Sequence, residues 1–257
     1  FITGFSGSAG TAVITKTEAR LWTDGRYFIQ AAAQLKGTTV ELMKMGEPGV
    51  PEMNAYIEEV LKEGETLGFD GRVVSVGEGE GYAAIAGKKN AKVNYQVDLI
   101  DEIWEDRPVL SEEPAFNLDV KYAGETVASK LARIREEMKE AGTNVHVVST
   151  IDDICWTLNI RGNDIDFFPL VLSYGIITMD SFELYIDEKK LDDKLKAKLA
   201  KDGVNLHPYN DIYEDVKKFG SDVVAMIDPG KLNYALFNNI PENVKTVEKR
   251  NPAILMK

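Results

Sequence analysis

The chain has 257 residues, with 30 Lys+Arg against 42 Asp+Glu for a net charge of −12, and is 44% hydrophobic and 28% charged. That length allows one large domain or two of ordinary size, and the composition is that of a folded globular protein, not a disordered chain. The acidic balance argues against a nucleic-acid partner, whose phosphates need clustered Lys and Arg, and no apolar run approaches the roughly 18 residues of a membrane span.

Strand-like and helix-like stretches alternate along the chain, which points to an α/β class. Residues 12–15 and 20–23 read as a strand pair around a short polar turn. Phe28, Ala31, Ala32 and Leu35 then share one helix face, with Asp24 placed as the cap. A strand over 40–43 follows. Pro51 opens a helix striped by Met53, Ile57, Val60 and Leu61, and Gly64 closes it. Strands at 67–70 and 93–95 flank a short helix at 82–88, and the glycines 77, 79 and 81 ahead of it read as a flexible loop. Residues 105–117, with two prolines and four acids, look like a linker. Beyond it Val127, Leu131, Ile134 and Met138 are spaced as one helix face, with Gly142 as the stop. Val145–Val148 is a strand, and Thr150 resembles the N-cap of a helix whose apolar side is Ile151, Ile154 and Leu158.

An internal repeat organises these elements. Ile14-Thr15, Leu21 and Asp24 recur as Ile177-Thr178, Leu184 and Asp187, all 163 positions on, and Trp22 answers to Tyr185. The order then holds at drifting offsets: strand 40–43 matches Val204–His207, the helix at Met53, Ile57 and Val60 matches Ile212, Val216 and Phe219, and Phe69-Asp70 matches Ile227-Asp228. The expected organisation is domain I over 1–106, a linker over 107–121 and domain II over 122–257. The second copy opens with a helix, a strand and a short helix that the first lacks, so about 40 residues are expected to precede Phe1. The end at Lys257 reads as the entry to something further.

Few residues offer chemistry of their own. The glycine cluster over residues 4–10 precedes a strand, whereas a phosphate loop must open a helix, so a tight backbone crossing is its expected role. His146 and His207 are the two histidines, 61 positions apart, with no metal-ligand spacing around them. Asp152, Asp153, Asp164 and Asp166 are dense but need no ion. Ser6 and Ser8 sit in no nucleophile elbow. Cys155 is the single cysteine and reads as a small buried hydrophobe, consistent with a reducing cytoplasm. Arg26 is different. Placed in the first turn of a helix, it stands against the dipole preference, which suits either a grip on a carboxylate or carbonyl or a pairing with a nearby acid; the matching position of the second copy is Lys189.

FITGFSGSAGTA (1–12) and LWTDGRYF (21–28), with LMKMG (42–46), IWEDRP (103–108) and LNIRGNDI (158–165), make the chain resemble the N-terminal region of Xaa-Pro aminopeptidases (aminopeptidase P), in the long three-domain form. The resemblance implies two creatinase/prolidase N-terminal-type α/β domains with mixed central sheets, and a catalytic pita-bread domain absent from this chain. In that family the third domain carries two divalent metal ions, usually manganese, on two Asp, one His and two Glu. No cofactor or metal is therefore expected in this chain, and no catalytic residue. The arginine of the DGR motif contacts the substrate peptide in relatives, and that role falls on Arg26. The implied partners are a peptide with proline second, the chain's own C-terminal catalytic domain and a second copy in a homodimer, in the cytoplasm, with no nucleic acid and no membrane. The resemblance also admits a non-catalytic peptide- or protein-binding module of the same fold.

Overall fold

The computed structural model describes residues 1–257. The chain divides into two compact units, Phe1–Phe69 with Glu80–Arg107, and Asp70–Gly79 with Pro108–Lys257.

In the first, β1 (Thr11–Ile14), β2 (Ala19–Thr23), α1 (Phe28–Gln34), β3 (Val40–Lys44), α2 (Met53–Val60), β4 (Thr66–Gly68), α3 (Val76–Lys88, whose first four residues belong to the second unit) and β5 (Lys92–Asn94) follow in order. β2 pairs antiparallel with β1 and parallel with β3, and β4 pairs parallel with β5 as a separate ladder. Trp22, Met43 and Tyr56 form the core between sheet and α2. The Trp22 indole N–H is satisfied by the Pro51 carbonyl at 2.9 Å, so burying that ring strands no donor. Pro51 thus precedes the helix, whose N-cap is Glu52.

The second unit runs β6 (Phe116–Asn117), α4 (Val120–Ala123), α5 (Val127–Glu140), β7 (Val145–Val148), α6 (Ile151–Leu158), β8 (Ile160–Arg161), β9 (Tyr174–Thr178), β10 (Phe182–Tyr185), α7 (Asp193–Lys201), β11 (Val204–His207), α8 (Ile212–Asp215), β12 (Val224–Ile227), α9 (Tyr234–Asn238), β13 (Lys245–Glu248) and α10 (Pro252–Met256). Six strands form one mixed sheet in the order β11-β10-β9-β7-β12-β13. Because strand side chains alternate, Val148, Ile177, Leu184 and Met226 face a core with α5, α6 and α7, while Val147, Ile176, Tyr185 and Ala225 face another with α8 and α9. The stripe Val127, Leu131, Ile134 and Met138 is buried as its spacing requires.

The repeat is present down to register. Ile14 pairs with Ala19 in the first unit, and Ile177 with Phe182 in the second, each 163 residues on. The first unit has no counterpart of β7, the strand that joins β9 to β12, and its sheet is accordingly in two pieces.

The reading of glycines 77, 79 and 81 as a flexible loop is corrected: they lie in the opening turns of α3. Each glycine costs a helix about 1 kcal/mol relative to alanine, and two local features offset that. Ser75 and Glu78 make a capping box, with Ser75 N and Oγ both donating to Glu78 Oε2, at 3.1 and 2.7 Å. The segment 71–77 also pairs with its own repeat partner 229–235. Val76 N and Gly77 N donate to Leu232 O and Pro229 O, and Tyr234 N and Ala235 N donate to Val74 O and Gly71 O, the same bonds with roles exchanged. Gly79 is required there, since a Cβ would lie 2.3 Å from the Tyr234 ring.

Lys130 on α5 is 1% exposed, and its Nζ donates to Trp156 O at 2.7 Å and Asn159 Oδ1 at 2.6 Å. It thereby serves the carbonyl end of α6, where a cation is favoured. Burial pushes its pKa down to about 8 from 10.5. Between those values the unfolded chain holds a proton that the folded chain has lost, so the contribution of Lys130 to stability rises with pH through that window and is lost as pH falls through 8. The urea midpoint of the native chain should therefore gain on that of Lys130→Met between pH 7.5 and 9.5. A constant difference would contradict this.

Candidate functional site

The first unit assembles its site from two segments separated by β1. Thr23 Oγ1 donates to Ala9 O at 2.6 Å, and the Ser8 and Tyr27 hydroxyls lie 2.6 Å apart. Gln34 on α1 holds Ser6 from both sides, its Nε2 donating to Ser6 Oγ at 2.8 Å and its Oε1 accepting from Ser6 N at 3.1 Å. These bonds set residues 5–10 against the turn at 24–27. The glycine loop behaves as a close backbone crossing: a Cβ on Gly7 would meet the Phe5 ring at 2.2 Å. The Gln34 and Gln30 contacts went unread in the sequence, where their one trace is an i, i+4 pair of glutamines.

Arg26 lies before the helix, not in its first turn, because the N-cap of α1 is Tyr27. Asp24 is correspondingly no helix cap. Its Oδ1 accepts from Arg26 N at 3.0 Å, and its two oxygens accept from Arg26 Nε at 2.9 Å and Nη2 at 2.7 Å. The dipole argument for Arg26 therefore falls, and the pairing with a nearby acid is what the structure contains. Those hydrogen bonds from Arg26 hold the Asp24 carboxyl down to about 2, so the pair stays ionised across any working pH. Arg26 is 69% exposed, and its Nη1 edge carries no protein acceptor. The repeat isolates what is special here. Asp187 Oδ1 accepts from Lys189 N at 3.0 Å, which is the same turn, but the Lys189 ammonium goes to Glu112 at 2.7 Å. Only the first copy folds its cation back into a fork.

The remaining candidates have structural partners. The His146 ring is buried, with Nδ1 3.1 Å from Met226 O and Nε2 3.3 Å from Asn251 Oδ1, and burial pushes its pKa down. His207 Nε2 lies 2.6 Å from Glu183 Oε2. Asp152 and Asp153 pair with Lys257, and Asp166 is exposed. Cys155 is 1% exposed with its thiol pushed up to about 11 by burial, as a packing residue should be. Arg161 Nη1 donates to Cys155 O and Ile160 O, and Asp164 pairs with Lys190, so this motif secures backbone. In IWEDRP, Trp104 stacks on Phe1 at 4.5 Å and Arg107 binds Asp98 and Asp101. No three His, Cys, Asp or Glu side chains come together as a metal-binding group, so the residues present do not fit a two-metal centre.

Two family models described as the creatinase/prolidase N-terminal domain match residues 1–103 and 106–257. The chain belongs to the creatinase/prolidase N-terminal family. Its similar proteins include aminopeptidase P2 of Arabidopsis thaliana, 40% identical over 242 residues, which covers 93% of this chain and 34% of that protein. Xaa-Pro aminopeptidase app-1 of Caenorhabditis elegans is 35% identical over 255 residues, covering 96% of this chain and 41% of that protein. Among solved structures, X-prolyl aminopeptidase from Caenorhabditis elegans, described as a cytosolic enzyme with a di-nuclear active site, superposes with a TM-score of 0.90 at 32% identity over 99% of this chain and 44% of its own. This creatinase/prolidase N-terminal chain thus spans 34% to 44% of the length of these relatives. Both of its α/β units carry a copy of the family domain.

Proposed function

We propose that this chain is the non-catalytic N-terminal part of a cytoplasmic, metal-dependent Xaa-Pro aminopeptidase, which releases the residue ahead of a proline at position two. The observation that carries the reading is the superposition of 99% of the chain on a di-nuclear X-prolyl aminopeptidase, while the chain itself gathers no metal-ligand set. The divalent ions, manganese by family habit, then belong to residues beyond these 257. Shaping the substrate cleft and supporting a homodimer are the parts left to this chain.

Arg26 is the residue through which the chain meets substrate under this reading. A guanidinium has five N–H donors in a fixed fork, and Asp24 uses the Nε and Nη2 edge, leaving Nη1 for an incoming acceptor. With Asp24 ionised the pair is neutral overall, which favours a peptide carbonyl over a free carboxylate. In the complete gene product, Arg26→Ala should lower kcat/KM on Xaa-Pro peptides by about 10- to 100-fold, the worth of one charged hydrogen bond. Arg26→Lys should recover little, because an ammonium has no fork. Unchanged kcat/KM in Arg26→Ala would end the assignment.

A further inference from the structure

The second unit holds a cavity of about 310 Å³ lined by Arg72, Ser75, Glu78, Ser149, Tyr174, Lys231 and Asn233. Its walls are fixed. Ser149 Oγ donates to Lys231 O at 2.9 Å, Arg72 N donates to Asp70 Oδ1 at 2.8 Å, and Asn233 Nδ2 donates to the Tyr213 hydroxyl at 3.1 Å. That hydroxyl lies 3.1 Å from the Tyr174 hydroxyl.

Its two cations are unspent. The Arg72 guanidinium rests over the Tyr213 ring, 4.8 Å from the centroid, and makes no ion pair. Four of the other arginines, Arg20, Arg26, Arg107 and Arg133, are tied to carboxylates. The Lys231 ammonium likewise has no acidic partner, although the chain carries 42 acidic residues. Among the lining residues Glu78 is the one carboxylate, and its Oε2 is engaged by Ser75 in the capping box. Arg72 and Lys231 both line this cavity, and a stacked guanidinium presents its planar edge to oxygens in pairs. The volume stands at the lower end of small-molecule sites.

We propose that this cavity binds a small oxyanion, a phosphate or carboxylate group, between Arg72 and Lys231. The site draws on none of the residues that form the Asp24–Arg26 turn, so it stands or falls independently of the aminopeptidase reading.

The test is an amide NMR titration of the 257-residue chain with inorganic phosphate and, separately, with succinate, at matched ionic strength set by sodium chloride. Saturable shifts are expected at Val73, Ser149, Gly230 and Lys231, with a dissociation constant on the order of millimolar, as befits a few exposed charged contacts. Saturation by phosphate alone assigns a phosphate group, and saturation by succinate alone a carboxylate. Arg72→Ala and Lys231→Ala should each weaken binding about tenfold. Glu78→Gln, which keeps the capping box, should tighten it about twofold to fivefold by removing one like charge. Shifts that chloride reproduces, that fail to saturate, or that persist unchanged in Arg72→Ala and Lys231→Ala would overturn the proposal.

Discussion

Lys190→Met should destabilise the chain by about 3–5 kcal/mol, because it leaves a buried carboxylate without its cation. Asp164 and Lys190 are 1% and 3% exposed at the side chain, and meet at 2.5 Å. Asp164 Oδ2 also accepts from Leu172 N at 2.7 Å, while Oδ1 has no hydrogen-bond partner, so Lys190 and one amide carry all the compensation. Adding Asp164→Asn removes the stranded charge and should recover most of the loss, since replacing both members of a buried pair is far gentler than breaking it. Guanidinium unfolding of the two single variants and the double one measures this directly. A Lys190→Met chain within about 1 kcal/mol of the native one would mean that water reaches Asp164 and the pair is not buried in solution.

Phe182→Ala should cost about 3–5 kcal/mol, the usual range for truncating a buried aromatic. Phe182 is 0% exposed in β10, and its ring lies where a Cβ on Gly175 would fall, 2.6 Å from Cζ. Glycine at 175 therefore makes room for the ring, and alanine at 182 would leave a void that Gly175 cannot fill. The repeat makes the same point, because the matching residue of the first unit is Ala19, and that unit builds its core on Trp22, Met43 and Tyr56 instead. Phe182→Leu should lose much less, since volume is partly kept. A loss under about 1 kcal/mol for Phe182→Ala, measured by the same unfolding, would show that the surrounding helices collapse onto the gap.

Much of this architecture was legible because burial writes periodicity into the chain. Val145–Val148 and Val204–His207 are strands at the bounds read from sequence, and the α6 helix occupies Ile151–Leu158 as its stripe demanded. The repeat was readable from a handful of residues at a common offset, and the strand registers follow it. What escaped depended on partners distant in sequence. The glycines of α3 resemble a loop until the pairing with residues 229–235 is known, although Ser75 and Glu78 do carry a capping-box spacing. Arg26 precedes α1, where its sequence position suggests the first turn, because Asp24 satisfies the arginine's own backbone N–H and thereby delays the helix start. The meeting of Arg72 with Lys231 at one cavity has no local signal at all.

The reading of this chain as the accessory part of an aminopeptidase rests most on the match of the whole chain to 44% of a di-nuclear enzyme. The most direct measurement compares the 257-residue chain with the product of its complete gene, each purified and assayed with manganese on a peptide bearing proline second. The account expects hydrolysis by the complete product and none by the 257 residues alone. Turnover by the isolated chain, or none by the complete product, would contradict it.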